Sequence, residues 1–301
     1  MNVSELQREI KKELREKQAI LLAHYYQRDE IQDIADFLGD SLALSIEAAK
    51  TDAAVIVFAG VHFMAESASI LSPDKTVLLP RLEAGCPLAD MITPPQLEKA
   101  KSEYPGVPVV TYVNSSAEIK AMSDICCTSA NAVKVVTSLE SDKVLMVPDG
   151  NLARYTARFT KKEVIAWNGY CSVHHFLAAA QVRDVMKRHP GAKLAVHPEC
   201  TAEVIDLADF VGSTAGIIRY ARETGAETFI IGTEAGILHT LKKENPGKTF
   251  ILASEKLICE TMKSITLEDI LASLREMKHV VRVPDAVAEP ARKALSRMIK
   301  L

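Results

Sequence analysis

Cys86, Cys171 and Cys259 stand 85 and 88 residues apart, each after a short apolar run that reads as a strand. One thiolate from each of three separate loops suits a metal centre. Structural zinc sites close four ligands and normally include a short C-x₂₋₄-C pair, which this chain lacks around these positions. The spacing therefore suits an iron–sulfur cluster at a junction, with three thiolates for four irons and one iron left open to act as a Lewis acid. Cys126, Cys127 and Cys200 read instead as buried small apolar residues.

Groups that can move protons recur beside strand ends. His24, His174 and His197 titrate near neutrality in ordinary surroundings, Glu199 lies two residues after His197, and Tyr26 and Tyr112 can donate protons or hydrogen bonds. Asn114 follows Tyr112 as Tyr26 follows His24. Ser41, Ser129 and the Ser213-Thr214 pair each precede a helical run, where hydroxyls serve as N-caps. Three helix N-termini facing one axis would offer positive dipole to about three anionic groups without using Lys or Arg.

Nine short apolar runs carry these residues: Ala19–Ala23, Ala54–Ala59, Thr76–Leu79, Val107–Val113, Val144–Val147, Val164–Trp167, Lys193–Val196, Thr228–Ile231 and Thr249–Leu252. Alternation with helical patterns predicts parallel α/β structure. A repeat organises them. Ser41, Ser129 and Thr214 each lie 17 residues beyond His24, Tyr112 and His197, and second strands end at Ala59-Gly60, Pro148-Asp149-Gly150 and Gly232-Thr233-Glu234. The economical reading is three αβα units related by a pseudo-threefold axis, with short parallel sheets around a central active site. Their bounds are residues 1–87, 88–174 and 175–265, with 266–301 returning to complete the first unit. Thr266–Met277 and Ala286–Ile299 read as helices in that return, around a strand at His279–Val283.

The 301 residues carry 36 Lys+Arg against 39 Asp+Glu, a formal charge of −3. That balance argues against nucleic acid as a partner. No apolar run reaches the length of a membrane span, and Met1 to Lys17 is a charged helical pattern unlike a signal peptide, so a cytoplasmic protein without membrane association is expected.

Together the motifs resemble the quinolinate synthase family: His24-Tyr25-Tyr26-Gln27, Gly39-Asp40-Ser41-Leu42, Gly85-Cys86-Pro87-Leu88-Ala89-Asp90-Met91, Tyr112-Val113-Asn114-Ser115-Ser116, Cys127-Thr128-Ser129-Ala130-Asn131, Trp167-Asn168-Gly169-Tyr170-Cys171-Ser172-Val173-His174, His197-Pro198-Glu199-Cys200, Gly212-Ser213-Thr214 and Cys259-Glu260-Thr261-Met262-Lys263. They run in order over nearly the whole chain. The resemblance implies condensation of iminoaspartate with dihydroxyacetone phosphate to quinolinate, with loss of phosphate and two waters, in de novo NAD synthesis. It also implies a [4Fe–4S] cluster on Cys86, Cys171 and Cys259, with one open iron. Tyr26 and Glu199 would carry proton transfers with help from His197. His24, Ser41, Tyr112, Asn114, Ser129, His174, Ser213 and Thr214 would bind substrate groups. A transient hand-over from an iminoaspartate-producing enzyme is a further expected partnership. Some family members carry a second Cys three residues after the third ligand; Met262 occupies that position here, against a thiol–disulfide switch. An electron-transfer iron–sulfur protein and a zinc hydrolase are the competing classes; the first needs a fully ligated cluster, and the second lacks H-E-x-x-H here.

Overall fold

Parallel strands are covered on both faces, so their sequences lose the alternation of a half-exposed strand. Val55–Ala59 is buried at every residue, and Ala19–His24 and Lys193–Val196 are buried over all but their first residues. A computed structural model describes residues 1–301 and sorts such runs into three separate four-stranded parallel sheets.

The first sheet follows helix α1 (Val3–Glu16). It contains β1 (Ala19–His24), β2 (Phe37–Gly39), β3 (Val55–Ala59) and β4 (Thr76–Leu78), with α2 (Asp29–Gln32), α3 (Ser41–Lys50) and α4 (His62–Leu71) between them. Next comes α5 (Pro94–Glu103), then β5 (Val109–Tyr112), α6 (Ala117–Ala121), β6 (Ile125–Cys127), α7 (Ala132–Ser138), β7 (Lys143–Val147), α8 (Gly150–Ala157) and β8 (Glu163–Ala166). The third set is α9 (Ser172–His175), α10 (Ala179–Arg188), β9 (Lys193–Val196), α11 (Ala202–Ile205), β10 (Phe210–Val211), α12 (Thr214–Glu223), β11 (Thr228–Gly232), α13 (Ile237–Glu244) and β12 (Thr249–Leu252). Two helices, α14 (Leu267–Glu276) and α15 (Asp285–Lys300), end the chain.

Strand order is the same in each sheet: β2-β1-β3-β4, β6-β5-β7-β8 and β10-β9-β11-β12. The register agrees as well. Ala23 pairs with Leu38, Tyr112 with Cys127 and Val196 with Val211, 15 residues on in every case. Ala23 also pairs with Ala59, Thr111 with Val147 and Val196 with Gly232, 36 residues on in every case.

The edge strands β2, β6 and β10 were not expected from the sequence, being only three, three and two residues long. An aspartate fixes each one. Asp36, Asp124 and Asp209 accept the backbone N–H of Leu21, Val109 and Leu194 through Oδ2, at 2.9, 2.8 and 2.9 Å. Their own N–H groups return to the carbonyls of the same three residues. This two-point pairing starts an edge strand that its own few residues could not hold. A lysine before each last strand reaches back to an earlier helix: Lys75, Lys162 and Lys248 donate to carbonyls at or just beyond the ends of α3, α7 and α12. Cations suit that end of a helix dipole.

Helix α14 lies against α1, while α15 crosses α6, β6 and α4, so it touches both the first and second sheets' layers. The strand expected at His279–Val283 is absent. Only an antiparallel bridge between Leu78 and Val280 forms, because Met277 and His279 take φ of 50° and 63° and turn the chain out of an extended path. No helix is long and apolar enough to cross a membrane.

Candidate active site

Parallel sheets present their loops at the carboxyl ends of the strands. Here β1, β5 and β9 end at or just before the register-equivalent residues His24, Tyr112 and His197, and two residues further stand Tyr26, Asn114 and Glu199. All six line one cavity, with Ser41, Ser129, His174, Thr214, Cys86, Cys171 and Cys259. Of the residues expected at the site, Ser213 does not line the cavity; its Oγ accepts the Gly216 N–H at 3.2 Å and caps α12.

An unbroken hydrogen-bonded line crosses this cavity wall. Thr214 Oγ1 donates to Tyr26 Oη at 2.8 Å, and Tyr26 Oη lies 2.6 Å from Thr233 Oγ1. Thr233 Oγ1 in turn lies 2.8 Å from His174 Nε2, and His174 Nδ1 lies 2.7 Å from Glu199 Oε2. One direction satisfies every partner: Thr214 to Tyr26, Tyr26 to Thr233, Thr233 to Nε2, and Nδ1–H to the carboxylate. Burial would push the Glu199 carboxyl up, but His197 and His174 outweigh it and hold it at about 2. Glu199 is thus a carboxylate at neutral pH. Its Oε1, like Asn114 Oδ1, is buried with no hydrogen-bond partner, and both residues line the cavity. Orphaned acceptors of this kind are rare without a ligand to fill them.

His24 and His197 share a local turn. The backbone N–H of Tyr26 donates to His24 Nδ1 at 3.1 Å, and that of Glu199 to His197 Nδ1 at 3.3 Å. Each Nδ1 is therefore an acceptor, leaving the proton on Nε2; for His197 that nitrogen meets Ser129 Oγ at 3.1 Å. Burial drives both histidines down to about 3, so they are neutral. Tyr26 goes the other way, raised well above 10.0 chiefly by burial despite its hydroxyl partners, and Tyr112 rises for the same reason with the Glu199 charge adding to it. Tyr26 is held as a phenol, a proton donor rather than a base.

The helix ends depart from the expected trio of anion sites. Ser41 and Thr214 do open α3 and α12, but Asp40 caps α3 through its carboxylate and stands in the cavity wall, already answering that dipole. Ser129 sits before its helix. The turn Thr128–Asn131 intervenes, with the Thr128 N–H bonded to Asn131 Oδ1 at 2.8 Å, and α7 starts only at Ala132.

The six cysteines are all unpaired, and they divide by burial and position. Cys86, Cys171 and Cys259 are half-buried and line the cavity, whereas Cys126, Cys127 and Cys200 are buried away from it. Burial pushes the Cys86 thiol up to about 12 and raises Cys171 and Cys259, so the protein alone does not stabilise thiolates there. A positively charged metal centre would. Cys171, His174 and Glu199 also bring one donor atom each within 4.8 Å of one another, a set able to hold a metal ion.

Two residues at the site carried no expected role. Thr233 and Glu234 are fully buried, and in the sequence they stand out only as the end of a strand. Thr233 faces His197 in the β9–β11 register continued by one residue, the position held by Gly60 and Pro148 in the other units. A hydroxyl where its counterparts have none was the available signal.

A family model described as Quinolinate synthetase A protein matches residues 8–300. A quinolinate synthase of Geotalea uraniireducens is 62% identical over 301 residues, covering 100% of this chain and 99% of that protein. One from Alkaliphilus metalliredigens is 56% identical over 302 residues, covering 100% of each. Quinolinate synthase 1 of Methanosarcina acetivorans is 55% identical over 283 residues, 94% of this chain and 93% of that protein.

Proposed function

The chain belongs to the quinolinate synthetase A family, and from that membership we propose that it is a quinolinate synthase of de novo NAD synthesis. It joins iminoaspartate to dihydroxyacetone phosphate and releases quinolinate, phosphate and two waters. Those formulae balance without an oxidant, so acids, bases and a Lewis acid suffice. The observation that carries the reading is the hydrogen-bonded line from Tyr26 to Glu199 along a cavity that three otherwise distant thiols share.

The donor set fits a [4Fe–4S] cluster on Cys86, Cys171 and Cys259, one thiol from each unit and all three open to the cavity. When bound, such a cluster supplies a Lewis-acidic iron for substrate oxygen. The chain's own groups do the rest. Glu199, kept ionised, takes a proton from substrate carbon or nitrogen, with His197 beside it at 3.5 Å. Tyr26, kept protonated, gives a proton to a departing hydroxyl and regains one from Thr214, whose hydroxyl donates to its oxygen, while Thr233 and His174 hold the phenol in place. Substrate carboxylates and phosphate are bound by hydroxyls of Ser41, Ser129, Tyr112 and Thr214, with Ser213 ordering the Thr214 turn, and by the Nε2 side of His24. His174 contributes from within the line, and Asn114 Oδ1 and Glu199 Oε1 are left to accept substrate N–H or O–H.

Equal strand orders and register offsets support a pseudo-threefold axis through the cavity, relating units at residues 1–87, 88–174 and 175–265. Segment 266–301 completes the first unit in this reading, α14 by lying on α1, while α15 bridges α4 of the first unit and α6 and β6 of the second. Free thiols throughout support a reducing, cytoplasmic setting. Iminoaspartate hydrolyses readily as an imine, which favours direct hand-over from the enzyme that makes it.

A second reading has one observation in its favour, the Cys171-His174-Glu199 donor set, which could hold a single zinc ion for hydrolysis. Anaerobic metal and sulfide analysis with a turnover assay on the two substrates separates the two. About four irons and four sulfides per chain with quinolinate formation are expected; one zinc, no sulfide and no quinolinate would overturn the proposal.

A further inference from the structure

We propose that Asp149 and Glu234 are positioning residues that fix the loops of Cys171 and Cys259, a task for which the first unit has no carboxylate. This inference rests on the reading of the three cysteines as cluster ligands. Register equivalence brings Val61, Asp149 and Glu234 to one position, two residues beyond Ala59, Val147 and Gly232. In the second unit Asp149 Oδ2 accepts the Cys171 N–H at 3.2 Å while Oδ1 accepts the Leu152 N–H at 2.7 Å. In the third, Glu234 Oε1 accepts the Cys259 N–H at 3.1 Å while Oε2 accepts the Gly236 N–H at 2.6 Å. The same construction thus appears twice, in side chains of different length. Both carboxylates are fully buried.

Each carboxylate is also held from its surroundings, Asp149 by a tight backbone junction and Glu234 by an ion pair. Beside Asp149, a Cβ on Gly150 would meet the Trp167 carbonyl at 2.4 Å and one on Gly169 would meet the Pro148 carbonyl at 2.3 Å, so the Cys171 loop is pressed onto the Asp149 turn. Beside Glu234, Lys263 Nζ reaches Oε1 at 3.2 Å and the Tyr26 carbonyl at 2.7 Å. Glu234 therefore ties the Cys259 loop to the turn that carries Tyr26. An amide in place of either carboxylate keeps one acceptor where two backbone N–H groups need one each, and its NH₂ must face a donor. Groups that orient metal ligands from behind in this way change metal retention by about 10–100-fold when replaced.

The test uses reconstituted holoenzyme of the parent, Asp149→Asn and Glu234→Gln under anaerobic conditions. Iron release to a ferrous chelator, the EPR spectrum of the reduced cluster and the melting temperature of the apo chain are measured. Expected are iron release faster by on the order of tenfold or more in both variants, an altered EPR spectrum, and little change in apo melting. Release at the parent's rate with an unchanged spectrum overturns the inference. Loss of stability in the apo chain with normal iron retention overturns it too, by making the carboxylates merely structural. Should Asp149→Asn fail to fold, Glu234→Gln, on a different unit and backed by Lys263, decides. A parent chain that takes up no iron overturns the cluster reading itself, and this inference with it.

Discussion

Replacing Thr233 with valine removes one hydroxyl and keeps nearly the same shape at a fully buried position. Two contacts vanish together, 2.6 Å to Tyr26 Oη and 2.8 Å to His174 Nε2. Tyr26 retains Thr214 as donor but loses its acceptor, and the imidazole loses its donor. Each buried group left unpaired costs about 1–3 kcal/mol. If the line holds the Tyr26 hydroxyl in place for proton donation during turnover, breaking it removes a general-acid contribution of about 10²–10⁴-fold, or roughly 3–5 kcal/mol of barrier. Anaerobic quinolinate formation, normalised to iron content, reads the effect directly. Thr233→Ser should recover most of the turnover because it restores the hydroxyl. A valine variant with a full cluster and turnover within about twofold of the parent would refute the reasoning, since an effect that small lies far below any general-acid contribution.

Changing Cys86, Cys171 or Cys259 to Ala should abolish or cripple cluster uptake, whereas Cys126→Ala should leave iron content nearly intact; equal losses in all four, measured by iron analysis, would break the ligand assignment. Tyr26→Phe and Glu199→Gln should keep the cluster yet each lose on the order of 10²-fold in turnover, and near-normal rates would move the proton transfers to His197. Acid should destabilise the apo chain: His24 and His197 take protons more readily unfolded, at an ordinary 6.5, than folded, at about 3, so their stabilisation is complete above 6.5 and lost as the pH falls toward 3. Chemical denaturation at pH 7 and pH 4.5 checks this, and equal midpoints would contradict it. Leu295→Ala, at a fully buried position of α15, should cost about 2–5 kcal/mol by the same measurement.

Much of this architecture was legible because parallel strands advertise themselves as apolar runs and because the unit is written three times. The edge strands were hidden for the opposite reason. Phe37–Gly39, Ile125–Cys127 and Phe210–Val211 are too short to show a period, and what creates them is an aspartate reaching back 15 residues to a partner strand. The cavity's polar residues were mostly visible as repeat-matched positions, whereas Thr233 was not, since its meaning depends on facing His174 from another segment. Ser213 is the converse case: next to Thr214 in sequence, its oxygen accepts the Gly216 N–H as a helix cap. The apolar Val-Val-Arg-Val stretch after His279 looked like a strand, but two left-handed residues immediately before it turn the backbone away.

The placement of α14 and α15 also bears on how the protein is made. Helix α14 covers α1, and α15 covers α4, α6 and β6, yet both are synthesised only after all three sheets. At roughly 5–20 residues per second, the first sheet waits for on the order of 10–45 s beside an emerging ribosomal chain before those covers arrive. During that interval the apolar positions that later meet Leu267, Leu271, Leu295 and Met298 have no partner, and the third thiol has not yet left the ribosome. Nascent chains should therefore need holding by chaperones until α14 and α15 emerge, and metal loading has to wait for the third thiol to emerge.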